Sequence, residues 1–262
     1  MKNRILKTEL YRAITSPLFW ITIPLITIFC CMSCYEDLVK NLSSCNITSI
    51  FSMLFGLGAF KNMIILLAPM SYISTFCSDL NNNFIQDIII RDGIKAYAKA
   101  KVIINIIVTF FAVFFGLMLL LLVLSLIMPL LPTSLNSEIA LSKPYGHILM
   151  GNTPILYFII KSFLFSLSTA FWSTVGLYIS SYIPNNFVAI AAPFISYYIL
   201  GEIGEFLPPF LNFRCLAEGY NVLNQNATVT IIYTAIFFIS LTIVISKLFI
   251  KNVERRIGNE LI

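Results

Sequence analysis

The chain has 262 residues, of which 58% are apolar and 11% charged, with a formal net charge of +5 and a mean hydropathy of +0.89. A water-soluble domain carries charge on about a quarter of its residues, so this composition excludes a soluble globular protein. A single histidine excludes a two-histidine metal site, and no GxxxxGK[ST] stretch occurs, which excludes ATP hydrolysis on a phosphate loop of this chain.

The first element is amphipathic. In residues 2–15, Ile5, Leu6, Leu10, Ala13 and Ile14 recur at helical spacing while Lys2, Lys7, Glu9 and Arg12 take the other side. The pattern predicts a short helix in the inner headgroup layer, its basic side toward anionic lipid. Ser16 and Pro17 then allow a bend into the first apolar run, because proline disfavours helix in the residue before it. A signal peptide shares the basic-then-apolar order, but no small-residue pair precedes Cys30 or Cys31.

Uncharged tracts at 13–35, 62–78, 102–137, 162–201 and 219–246 approach or exceed the roughly 20 residues that cross a bilayer as a helix. The fourth is too long for one helix, and Pro184, Asn185 and Asn186 mark a turn within it. Six spans result: 18–34, a segment ending at Cys77, 102–128, 155–180, 187–200 with a continuation toward Phe206, and 229–246. The expected fold class is an all-α membrane protein with one transmembrane domain over 1–262. Placing both termini in the cytoplasm puts twelve of the seventeen Lys and Arg inside and only Lys40, Lys143 and Arg214 outside. That asymmetry follows the retention of positive charge in cytoplasmic loops.

Between spans two and three lies SDLNNNFIQDIIIRDGIKAYAKAK, residues 78–101. Asp79 suits an N-cap, and Leu80, Phe84, Ile85, Ile88 and Ile89 repeat at three and four, leaving Asn82, Asn83, Gln86, Asp87 and Arg91 on the other face. Asp87 and Arg91 are a favourable pair four apart, and Gly93 ends the helix. A second helical segment carrying Lys95, Lys99 and Lys101 at the inner interface feeds span three. Such a helix either rests on lipid or docks a soluble partner; charges of both signs and an asparagine run suit protein contact.

Isolated charges are few. Lys61 and Lys161 stand inside apolar segments, where their stems either carry the ammonium out to the interface or face an outward vestibule. Glu202 and Glu205 gather with Glu218 at the outer end of span five, as a solvated rim or as a proton or cation site. Cys30, Cys31, Cys34 and Cys77 read as small buried apolar residues. Cys45 and Cys215 fall on the outer side, and spacing does not decide whether they pair. The tripeptides beginning at Asn41 and Asn46 match glycosylation acceptors.

Taken together, RILKTELYRAITSPLFW ahead of six spans, a helical loop after span two that ends in the basic AKAK entry to span three, and the broken outer segment ILGEIGEFLPPFLNFRC before the last span resemble the type-2 ABC exporter permeases. The resemblance is one of architecture over nearly the whole chain. Asp79 and Lys101 suit the acidic start and basic end of that family's loop, while Gly93 comes later than the family's glycine.

The resemblance implies a separate ABC ATPase subunit as the motor and a second permease, copy or homologue, as partner. Residues 2–15 would be the elbow helix and 79–92 the coupling helix, with Phe84, Ile85, Asp87, Ile88 and Arg91 seated in the ATPase. Residues 201–226 would form an outer re-entrant or surface segment. Spans two and five would line the substrate path, with Ser71, Tyr72, Phe194, Tyr197 and Tyr198 as candidate contacts, although ordinary helix packing also produces aromatic walls. An interior without mid-membrane charge suits a hydrophobic peptide or a lipid-like or drug-like cargo. Abundant Ile, Asn, Phe and Lys point to a bacterial cell membrane and, by analogy, to antimicrobial-peptide or lantibiotic resistance. No cofactor and no nucleic acid is expected. A membrane-embedded lipid-modifying enzyme and a non-transporting structural or regulatory subunit remain alternatives.

Overall fold

A computed structural model describes residues 2–35, 39, 46–56, 58–82, 84–131, 145, 148, 154–218 and 227–260. Among these residues the protein is helical throughout, with no strand. In chain order the helices are α1 (Lys2–Thr15), α2 (Pro17–Ser33), α3 (Ile47–Gly56), α4 (Gly58–Leu67), α5 (Ser74–Asn81), α6 (Phe84–Asp92), α7 (Ile94–Ser125), α8 (Pro154–Ser180), α9 (Asn186–Gly204), α10 (Phe213–Glu218) and α11 (Ala227–Glu260). A short 3-10 turn, Ala68–Ser71, joins α4 to α5, and another, Pro209–Leu211, precedes α10.

Helices α7, α8 and α9, and α11 over Ala227–Gly258, are each long and apolar enough to cross a membrane. Two further candidates are bent: Arg4–Thr15 meets Pro17–Ser33 at 53°, and Asn62–Ser71 meets Ser74–Asn81 at 44°. Among the described residues there are thus four helices long and apolar enough to cross a membrane, or up to six such elements if each bent pair is one span. The first bend has a proline at the break, and the second has one shortly before it. Ser16 is extended at φ −68°, ψ 127° ahead of Pro17, and Pro69 sits at the start of the 3-10 turn, where it has no N–H to give to an α-helical bond.

The boundaries differ from expectation in three places. Span three does not begin after a separate basic segment: α7 runs unbroken from Ile94, so Lys95, Lys99 and Lys101 ride on the spanning helix itself. Asp79 lies inside α5 and caps nothing; the loop helix starts five residues later, at Phe84. Before the second bent pair comes an extra apolar helix, α3, capped by Asn46, whose side-chain oxygen accepts the Ser49 N–H at 2.9 Å. Its start is tied to the end of α7, where Thr48 Oγ1 donates to the Leu130 carbonyl at 2.9 Å.

Helix α8 is the hub, packed on α7, α9 and α11. Between apolar helices in lipid, close backbone approach and shared polar contacts replace the hydrophobic drive, and both are present. A Cβ on Gly176 of α8 would stand 2.4 Å from Pro193 Cγ and 2.9 Å from the Ala189 carbonyl of α9, so only glycine permits this crossing. At the α2–α7 crossing Thr27 Oγ1 donates to the Gly116 carbonyl at 2.9 Å. Between α7 and α8, Asn105 Nδ2 donates to Ser173 Oγ at 3.0 Å, with Thr109 Oγ1 at 3.2 Å from the same oxygen.

One end of the bundle gathers α1, α6, the start of α7 and the end of α11, which together carry Arg4, Lys7, Arg12, Arg91, Lys95, Lys99, Lys101, Lys247, Lys251, Arg255 and Arg256. It is called the basic end below. The turn from α8 to α9 lies there too, held by α11: Asn252 Nδ2 donates to Ser181 Oγ at 2.6 Å and Arg256 donates to the Ser181 carbonyl at 2.9 Å.

Candidate functional site

The basic end contains a buried ion cluster drawn from three helices. On α1 the buried stripe is Ile5, Glu9 and Ala13, each one turn from the next, so the single carboxylate sits in the middle of an apolar face and only 4% of its surface is exposed. Asp79 comes from the end of α5 and Lys101 from the third turn of α7; Asp79 is 2% exposed and Lys101 fully buried.

Lys101 donates to Glu9 Oε2 at 2.9 Å and to Thr75 Oγ1 at 3.3 Å, and its ammonium is ion-paired with Asp79 Oδ2 at 2.7 Å. Its ammonium also stands 5.3 Å from the Tyr72 ring centre and 5.5 Å from that of Tyr97. Two tyrosines add hydrogen bonds to the same carboxylates. Tyr72 OH donates to Glu9 Oε2 at 2.5 Å and Tyr97 OH to Asp79 Oδ2 at 2.9 Å. Arg12, partly exposed, closes the open side by donating to Asp79 Oδ1 at 2.7 Å. Two carboxylates face two cations, so the cluster is neutral. Burial of any one of these charges alone would be costly, and pairing with added hydrogen bonds makes it tolerable. The bend between Ser71 and Ser74 brings Tyr72 to Glu9, and the length of α7 brings Lys101 beneath both carboxylates.

Beside the cluster lies α6. Its Ile85 is buried with Phe76, Tyr97, Val253 and Ile257, and Ile88 and Ile89 pack against the same group, so one face of α6 rests on α5, α7 and α11. Its other face is open: Phe84 is 53% exposed, Ile90 is 87% exposed, and Arg91 is exposed with Asp92 as its ion partner at 3.1 Å. Gly93, at φ +85°, a conformation that strains any other residue, turns the chain from α6 into α7.

These positions revise the expected docking set. Ile85 and Ile88 face inward and serve the bundle; Phe84 and Arg91 are accessible, and Ile90 is the exposed apolar residue that the periodicity argument passed over. The backbone of Asp87 belongs to α6, and its side chain lies outside the described residues.

The expected substrate-path residues do not form one wall. Ser71 is buried and donates to the Ala68 carbonyl at 2.7 Å, and Tyr72 is spent on Glu9. Tyr197 is buried edge-on to Trp172 at 5.4 Å, in a different core group from Tyr72. Tyr198 is 51% exposed, and Phe194 is half-buried. Ser71 and Tyr72 are both internal, next to the 44° bend between Ser71 and Ser74.

At the opposite end Arg214 donates to Glu202 at 2.7 Å and to Glu205 at 2.9 Å. Partial burial opposes its charge, but the hydrogen bond to Glu202 and the nearby carboxylates outweigh this and hold the guanidinium above its ordinary range. Glu202 and Glu205 are therefore an ion-paired rim bound to α10, with the guanidinium occupying the place a cation would take. Lys161 is 5% exposed, with its ammonium 5.2 Å from the Phe55 ring and 5.4 Å from that of Tyr157. The side chain of Lys61, and Cys45, Lys40, Lys143, His147 and residues 219–226, lie outside the described residues. Among the described residues no three His, Cys, Asp or Glu side chains gather as a metal site.

Sequence reasoning missed Glu9, Asp79, Tyr97 and Lys101 as a unit. One local signal was available: Glu9 is four residues from both Ile5 and Ala13, which puts it on the apolar stripe. Comparison of the chain with protein-family models, with curated proteins and with solved structures finds no match.

Proposed function

We propose that this chain is the transmembrane permease subunit of an ATP-driven exporter in a bacterial cell membrane, working with a separate ABC ATPase and a second permease. The observation that carries the reading is the two-sidedness of α6. A nine-residue helix is seated by Ile85, Ile88 and Ile89 on the long helices while presenting Phe84 and Ile90 outward. Exposed apolar side chains in the most polar part of a membrane chain suit a protein partner better than water.

With the basic end in the cytoplasm, as the charge asymmetry favours, α6 is the coupling helix and α1 the elbow helix. The docking set becomes Phe84, Gln86, Ile90 and Arg91. ATP binding closes the motor subunits and displaces α6. Because α6 is packed on α5, α7 and α11, and the ion cluster joins α1, α5 and α7, the push moves these elements as a body and not as separate helices. The cargo is an amphipathic or hydrophobic molecule, since the charges described within the bundle are already paired or stacked on rings.

Two experiments test the reading. A lone cysteine at Asn82, in a background without the native cysteines, is expected to resist membrane-impermeant thiol reagents in intact cells and to react in inverted vesicles; labelling from outside overturns the orientation. Co-expression with a candidate ABC ATPase is expected to give a complex whose ATP hydrolysis rises above that of the free ATPase. An unchanged rate in a stable complex removes the motor assignment.

A further inference from the structure

The basic end holds a groove of about 1030 Å³ between the start of α1, the end of α6 and the first three turns of α7. That volume is at the upper end of the roughly 300–1000 Å³ usual for small-molecule sites. Its lining is part cationic and part apolar. Lys95, Lys99 and Ile103 follow one another at intervals of four along α7, all exposed on one face, and each lies about 6 Å further along the helix than the last. The two cations stand nearest the start of α7, and Ile103 with Ile5 and Leu6 of α1 adds apolar lining.

The charge near the start of α7 is unbalanced toward positive. Arg91 is held by Asp92 at 3.1 Å, and Lys95 meets Glu254 at 3.6 Å while remaining 75% exposed. Lys99 makes no ion pair with any described residue. The first-turn N–H groups of α7 are also unspent, since intrahelical bonding begins with Tyr97 N–H on the Gly93 carbonyl, and Gly93 offers no side chain to cap them. With no Cβ, Gly93 leaves the space before them open.

Cations and free helix N–H groups beside an apolar lining, at the start of a helix long and apolar enough to cross a membrane, match an anionic amphiphile whose tail lies along the helix. We infer that this groove is a binding site for one anionic phospholipid, its phosphate among Lys95, Lys99 and the start of α7, and its first acyl carbons against Leu6 and Ile103. The inference rests on the bundle lying in a bilayer and is independent of any motor partner.

The test uses the full chain alone in detergent, titrated with dioctanoyl phosphatidylglycerol, dioctanoyl phosphatidylcholine or inorganic phosphate while thermal unfolding is followed. Phosphatidylglycerol is expected to raise the midpoint saturably, with phosphatidylcholine and phosphate well behind. K95Q/K99Q removes two surface cations and is expected to weaken phosphatidylglycerol binding about thirtyfold. K251Q, at an exposed cation outside the groove, should leave it unchanged. I103W, which fills the apolar part of the groove and keeps the charges, should weaken the lipid but not any residual phosphate effect. Equal binding of the two lipids, equal binding of free phosphate, or an unchanged affinity in folded K95Q/K99Q would each overturn the proposal. Because no ATPase is present, failure here is distinct from failure of the exporter reading.

Discussion

Lys101 and Glu9 meet at 2.9 Å across 92 residues of chain, and the lysine has no exposed surface. The contact fastens the first helix of the protein to a spanning helix that begins at Ile94. Removing the lysine leaves Glu9 and Asp79 buried side by side with Arg12 as their remaining cation. Lys101→Met is therefore expected to destabilise the protein by about 3–5 kcal/mol, the usual cost of breaking a buried ion pair. Thermal unfolding in detergent measures this. The double variant E9Q/K101M should be less destabilised than the sum of the single variants, because each single change leaves an uncompensated charge; strict additivity would refute the cluster as a coupled unit.

Helix α6 separates two roles along nine residues. Ile85→Asp forces a carboxylate into the group formed by Phe76, Tyr97 and Val253 and should lower yield and thermal stability severely. Ile90→Asp changes a side chain that is 87% exposed and should leave stability within about 0.5 kcal/mol. Under the exporter reading, ATPase stimulation is lost in Ile90→Asp despite a normal melting curve. The two measurements together distinguish a docking residue from a packing residue.

The α8–α9 crossing predicts a strong contrast between two glycines. Gly176→Ala places a methyl against Pro193 and the Ala189 backbone and should cost about 1–3 kcal/mol. Gly258→Ala, with open space around it near the end of α11, should be neutral or stabilise by up to about 1 kcal/mol through helix propensity. Parallel unfolding curves of the two variants check both.

Arg214→Ala frees Glu202 and Glu205, whose side chains are 51% and 59% exposed. Exposed ion pairs contribute roughly 0–1 kcal/mol each, so the global melting temperature should change little. The local consequence is larger, since the arginine ties α10 to α9. Proteolysis or hydrogen exchange over 209–218 should accelerate in the variant; unchanged protection would show that the ion pairs do not hold this segment.

What the sequence by itself determined is what depends on near neighbours. Uncharged tracts specify helices that lipid can surround, Pro17 and the Pro184–Asn186 cluster specify where the chain bends or turns, and Gly93 specifies the end of α6. Each is a matter of backbone freedom or of hydropathy averaged over a few turns. The basic stretches could likewise be assigned to one end of the bundle by counting.

Only the tertiary structure decided which polar groups are internal. Whether Glu9 meets water or Lys101 depends on how α1 is rotated against α7, and no stretch of sequence encodes that rotation alone. Tyr72, expected as a path residue, is a hydrogen-bond donor to Glu9 because its place at the 44° bend between Ser71 and Ser74 brings it against α1. Glu202 and Glu205 likewise became an arginine clasp once α10 folded back on α9. The physical reason is common to all three: the energy of a charge or hydroxyl is set by what stands within about 4 Å of it, and in a bundle those neighbours come from helices distant in the chain.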